Sequence, residues 1–235
     1  MRRLQQSSST IIFLEEIEYT DAALAADVLT AELGKPFVAA AESWESIFKA
    51  ERQARRTVGR TEAVVSVRNG QLDVITTRFG AGVLSEAGAD RASPFFRRFF
   101  PIAPSVLVRQ PLRKQCEYTQ NVVVEELSKL EGKAQGLKAF ARPLETTAKA
   151  ALAALDARSK AKAERAITHN DVDEWKEGIN TLRLSTYAEL LKIAIAEGYP
   201  RSWADNFFRL GPVGDAEASD VVIPVAEATQ PSDAS

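Results

Sequence analysis

Reactive side chains are scarce in this sequence. It has one cysteine, one histidine and one methionine in 235 residues, and no apolar run near the ~20 residues a membrane helix needs. The lone Cys116 excludes an intrachain disulfide, suits a reducing compartment and reads as a buried, inert thiol. The lone His169 excludes a multi-histidine metal site and a di-iron site built from two Glu-x-x-His motifs. No motif joins His169 to Cys116 as a nucleophile and its base. Neither sign of charge dominates, with 30 Lys+Arg against 32 Asp+Glu and a net charge of -2. No global field therefore favours nucleic acid or membrane, and binding of either kind would need a local patch.

Other absences narrow the function classes further. Gly80 and Gly82 form only a Gly-x-Gly, without the Lys-Ser/Thr of a phosphate loop. Paired carboxylates occur at Glu15 and Glu16, at Glu125 and Glu126, and at Asp171, Asp173 and Glu174. They fall on expected helix surfaces or ends, where solvated carboxylates are ordinary. After the two arginines of the first ten residues, Ile11 to Leu14 is followed at once by Glu15 and Glu16, too short for a signal-peptide core. The expectation is a cytoplasmic protein with no catalytic residues, no metal site and no cofactor.

The sequence is rich in helix-forming residues. The ten prolines leave proline-free stretches at 37–93, 112–142 and 144–199, each full of Ala, Leu, Glu, Lys and Arg. A short helix is expected at about 21–33, with Thr20 as its N-cap and Gly34 as its stop. Pro36 suits the first turn of the next helix. In that helix Phe37, Ala40, Trp44, Ile47, Phe48, Ala54 and Val58 recur at helical spacing on one face. Lys49, Arg52, Arg56 and Arg60 occupy the opposite face with Glu42, and Glu45, Glu51 and Glu62 dilute their field. Residues 61–79 can be read as a hairpin about Asn69-Gly70, but Val65, Leu72, Ile75, Phe79 and Val83 keep the helical step, so helix is favoured up to Gly88.

Further on, 107–131 reads as one helix capped by Ser105, with Pro111 kinking its start, followed by a glycine linker at 132–136. Pro143 opens a tract to about 197, and Thr168 to Asp171 is a possible break, because Asn170 with Asp173 resembles a capping box. Unbroken, it would be a helix of about 50 residues, roughly 75 Å long. Gly88 and Gly198 are each followed by a segment holding Phe-Phe-Arg, which suggests two pseudo-repeated halves. The fold expected is all-α, an elongated antiparallel bundle of about four to six helices over 20–211. An extended N-terminal segment, 1–19, precedes it and a flexible acidic tail, 212–235, follows. Val221, Val222 and Ile223 in the tail form a short apolar run that can add to a partner's sheet edge.

Phe95, Phe96, Phe99 and Phe100 flank Arg97 and Arg98 within a basic-aromatic region, 91–114. Such a segment can cap the open end of a bundle, meet a protein partner, or bind single-stranded nucleic acid by stacking and phosphate pairing. The reading favoured is a non-enzymatic structural or protein-interaction protein, a subunit of a larger assembly, with a protein partner or self-association. The alternatives are a helical ligand-binding or enzymatic bundle with a cavity near Trp44, Trp175 or Trp203, and nucleic-acid binding through 91–114 and the stripe Lys49, Arg52, Arg56 and Arg60.

Overall fold

A computed structural model describes residues 1–209, and every element among them is helical. The helices are α1 (Thr10–Ala25), α2 (Lys35–Glu86), α3 (Pro94–Phe99), α4 (Pro104–Leu107), α5 (Leu112–Tyr118), α6 (Glu125–Ser128) and α7 (Ala141–Glu197). A π-helical turn, Thr119–Val124, joins α5 to α6, and 3₁₀ segments lie at Ala31–Gly34, Gly132–Phe140 and Arg201–Phe207. No helix among the described residues is long and apolar enough to cross a membrane. The described residues divide into two compact units, one of 43–175 and one of 1–42 with 176–209.

In the unit of residues 43–175, the inner face of α2 follows a seven-residue rule. Val58, Val65, Leu72 and Phe79 are all buried. Phe79 packs in one cluster with Leu144, Leu72 with Ala148 and Ala151, and Val65 with Ala154 and Leu155. Positions rise along α2 as they fall along α7, so the two helices run antiparallel here. Lys162 meets Glu62 at 3.0 Å and Trp175 Nε1 donates to Ser43 Oγ at 3.0 Å, both in the same register. Each fully buried Leu or Phe contributes about 1.5–3 kcal/mol.

Helix α2 is continuous through 61–79, as the helical step required, and stops where Gly88 takes φ 66. Ser93 Oγ then caps α3 by accepting from Phe96 N at 3.2 Å, with Pro94 in the first turn. A Cβ on Gly80 would lie 2.9 Å from Pro104 Cγ, so this glycine lets α4 seat directly on α2. The helix expected over 107–131 starts only at Leu112, after a break that follows α4, and runs through α5, the π-helical turn and α6 to Ser128. Pro111 offers no N–H to the preceding turn and disfavours helical backbone at Gln110, so the chain breaks before restarting at Leu112. The expected glycine linker is largely the 3₁₀ segment Gly132–Phe140, which buries Leu137.

In the other unit, the segment expected to be extended to residue 19 is helical from Thr10. Its cap is Ser9, whose Oγ accepts from Ile12 N at 3.3 Å, not Thr20, which is fully buried within α1. The reason is tertiary. Phe13, Ile17 and Leu24 lie at helical spacing and are fully buried, and Glu16, an interruption in the sequence, is paired inside the core. The end of α7 supplies Ile179, Arg183, Thr186, Leu190 and Ala194 to this core, and Phe207 and Phe208 close it.

Helix α7 runs unbroken from Ala141 to Glu197, so Thr168 to Asp171 is not a break. Both long helices follow a 3₁₀ segment, both end at a left-handed glycine (Gly88, φ 66; Gly198, φ 72), and each is followed by a short helical segment contributing buried phenylalanines. The two segments differ in detail, since Pro94–Phe99 is α-helical and Arg201–Phe207 is 3₁₀. The tail with Val221, Val222 and Ile223 lies outside the described residues.

Candidate interaction surface

The aromatic rings of the basic-aromatic segment are turned inward. Phe96, Phe99 and Phe100 are buried, and Phe95 is half-buried against the same cluster. Phe79 sits at their centre, with ring centroids 5.4 Å from Phe99 and 5.5 Å from Phe100. Tyr118 Oη donates to the Phe99 carbonyl at 2.7 Å and ties α5 to α3, while burial pushes its phenol up to about 12. Arg98 is hydrogen-bonded to Glu126. That bond, then the one from Lys129, holds the Glu126 carboxyl below its usual range. Arg97 is exposed. Rings enclosed in a core cannot stack on bases.

Carboxylate, histidine and cysteine chemistry is equally dispersed. Cys116 is buried against Leu72, Ala148 and Ala151, and burial pushes its thiol up to about 11. His169 is 71% exposed and lies 3.7 Å from Asp173. It is 21 residues along α7 from Ala148, or about 30 Å of helix, so the two are not brought together. No group of three or more potential metal ligands occurs among the described residues. Trp44 stacks on Phe48 at 4.8 Å, and Trp203 lies between Tyr199 and Phe207, at 5.1 and 4.8 Å.

Between α2 and α7 the apolar seam gives way to a cavity of about 470 Å³, lined by Ala54 and Val58 and by Glu51, Arg55, Glu62, Lys162, Arg165 and His169. Its charges largely satisfy one another, Arg55 with Glu51 and Lys162 with Glu62. These charged side chains are largely exposed, so they rim the seam as solvated pairs of small energetic weight.

The solvent face of α2 carries a different pattern. Lys49, Arg52 and Arg56 begin a stripe that continues through Arg60, Ala63, Val67, Gly70, Val74, Thr77 and Ala81 in steps of three and four, all exposed. The four cations have no ion-pair partner among the described residues. Two of the glutamates that dilute their field in the sequence, Glu51 and Glu62, are engaged by Arg55 and Lys162. From Ala63 to Ala81, about five turns, the stripe has no charge. Val67 is 60% exposed, Val74 52%, and Val64 beside them 48%. At its far end Thr77 and Ala81 border a hollow of about 260 Å³ whose walls include Leu84, Phe96 and Pro104.

Lys49, Arg52, Arg56 and Arg60 were legible in the sequence; the apolar continuation was not followed. The signal was present, since the three-four alternation of the basic stripe passes directly into Ala63, Val67, Gly70 and Val74. Comparisons with protein-family models, with curated proteins and with solved structures find no match.

Proposed function

We propose that this is a non-enzymatic interaction protein, a subunit that docks onto a larger assembly through the solvent face of α2. The supporting observation is the uncharged stripe from Ala63 to Ala81, with Val67 and Val74 more than half exposed and Val64 48% exposed beside them, on a helix whose opposite face is already buried. A helix apolar on both sides is normally covered on both sides. The inner pairing of α2 with α7, with its seven-residue spacing, reads as an antiparallel coiled coil that presents this face on a rigid support. A single cysteine, Cys116, that is buried suits a reducing compartment such as the cytoplasm.

The test is the native size of the protein in lysate of its own source cells, compared with a Val67→Glu/Val74→Glu variant. These side chains are more than half exposed, so the purified variant is expected to keep its helical circular dichroism and melting temperature. The wild type is expected to run in a larger complex and the variant alone. A wild type that runs as a monomer in lysate, at the same size as the variant, would remove the proposal.

A further inference from the structure

The stripe on α2 also states what chemistry its partner must have, and this inference rests on the docking function just proposed. The geometry points to an amphipathic helix of another protein, apolar along the part that meets Val67 to Ala81 and acidic along the part that meets Lys49 to Arg60.

Helix stability does not explain the residues of the apolar section. Exposed helix positions are normally filled by Ala, Glu, Lys, Arg or Gln, whereas Ser66, Val67, Gly70, Val74 and Thr77 are all poorer helix formers. Each of these five exposed positions gives up intrinsic helix propensity relative to alanine. Gly70 has nothing within 4 Å of where its Cβ would stand, so no contact inside the protein requires a glycine there. A partner helix lying along the stripe would use that space, because a glycine flanked by Val67 and Val74 makes a hole into which a bulky side chain fits. The hollow beside Thr77 and Ala81, walled by Phe96 and Pro104, is a second such hole at one end.

The charges set the other half of the partner. Lys49, Arg52, Arg56 and Arg60 lie on the same line of the helix as the valines, exposed and without ion-pair partners among the described residues. Arg78, on the flank of the apolar section, is exposed and similarly unpaired. A basic partner would be repelled at both places, and an apolar one would leave these cations under its end. An acidic block over roughly three turns complements them, accelerating encounter and fixing which end of the partner lies where.

The experiment uses the full chain and two dye-labelled synthetic helices of about 30 residues. Both carry leucine at three- and four-residue steps; one ends in a glutamate-rich block and the other in a lysine-rich block. Fluorescence anisotropy is expected to show at least tenfold tighter binding of the acidic peptide, weakening with added salt. Arg52→Glu/Arg56→Glu should reverse the preference, and Val67→Glu, checked by circular dichroism to be folded, should abolish binding of both. Absence of binding, equal affinity for the two peptides, or binding untouched by Val67→Glu would overturn the inference. Two further results would assign the face to another occupant and overturn it as well. One is a tenfold gain in peptide affinity on deleting 211–235, which would make the chain's own acidic tail the occupant. The other is self-association, seen by light scattering, that Val67→Glu removes, which would make a second copy the occupant. A lysate complex that is lost in Val67→Glu/Val74→Glu, together with indifference to the peptides, would leave the docking function standing and remove only the acidic-helix partner.

Discussion

Arg183 on α7 reaches Glu16 on α1 at 2.7 Å, and both side chains are only 2% exposed. The guanidinium also lies 5.4 Å from the Phe208 ring centroid, and its Nε has no hydrogen-bond partner. Burial lowers the Arg183 pKa, and the charge of Glu16 opposes that effect. One ion pair, enclosed by aromatic and aliphatic side chains, thus joins the first helix to the last.

Breaking that pair from one side leaves the other charge buried alone. Glu16→Gln or Arg183→Met is expected to cost about 3–5 kcal/mol, and the apolar double replacement Glu16→Leu/Arg183→Met to cost far less. Urea denaturation of the three variants measures this. A double variant as unstable as the two losses added together would contradict it.

Asn180 holds the N-terminal segment with both ends of its amide, accepting from Leu4 N at 2.9 Å and donating to Leu4 O at 3.1 Å. Lys176 Nζ adds a bond to the Gln6 carbonyl at 2.8 Å. Asn180→Ala is expected to cost about 1–3 kcal/mol. It should also raise hydrogen exchange in residues 2–8 well before the α2 core exchanges. Unchanged protection of that segment would show that the burial of Leu4 alone holds it.

Two glycines on α2 should respond to alanine in opposite directions. Gly80→Ala places a Cβ 2.9 Å from Pro104 and should destabilise, whereas Gly70→Ala meets nothing and should stabilise by up to about 1 kcal/mol. Thermal melts of the two variants check this. If α2 docks as proposed, Gly70→Ala will also weaken binding of the acidic peptide while raising the melting temperature, a combination that a purely structural role for Gly70 would not produce.

The alkaline limit of stability follows from Cys116 and Tyr118. Burial raises the thiol from 9.0 to about 11 and the phenol from 10.0 to about 12. Both groups stay protonated in the native state after they would ionise in the unfolded chain. Their contribution is therefore fully present below pH 9 and is lost as pH rises through 9 to 12. Denaturation midpoints should be insensitive to these groups at neutral pH and should fall above pH 9, less steeply in Cys116→Ala. A native thiol that reacts with a disulfide reagent at pH 8 as fast as a free one would contradict the burial on which this rests.

Much of the candidate surface was readable in the chain because a helix converts spacing into a face. Lys49, Arg52, Arg56 and Arg60 could be placed on the solvent side of α2 without coordinates. Phe95 to Phe100 could not be assigned in the same way. Their composition suits a stacking surface or a core cap equally, and only packing around Phe79 decides that the rings point inward. Glu16 illustrates the opposite failure. Beside Glu15 it reads as a solvated carboxylate that ends an apolar run, and its buried partner Arg183 is 167 residues away.

Local rules, then, were enough for the helical class, the unbroken course of α2 through Asn69-Gly70 and its end at Gly88, because backbone hydrogen bonding and apolar period act over a few residues. Tertiary contact decided where α1 begins and which phenylalanines are hidden. It also decided that Val64, Val67 and Val74 remain in water. Each of these depends on which distant side chain takes the place of solvent, and that is settled only when the helices pack.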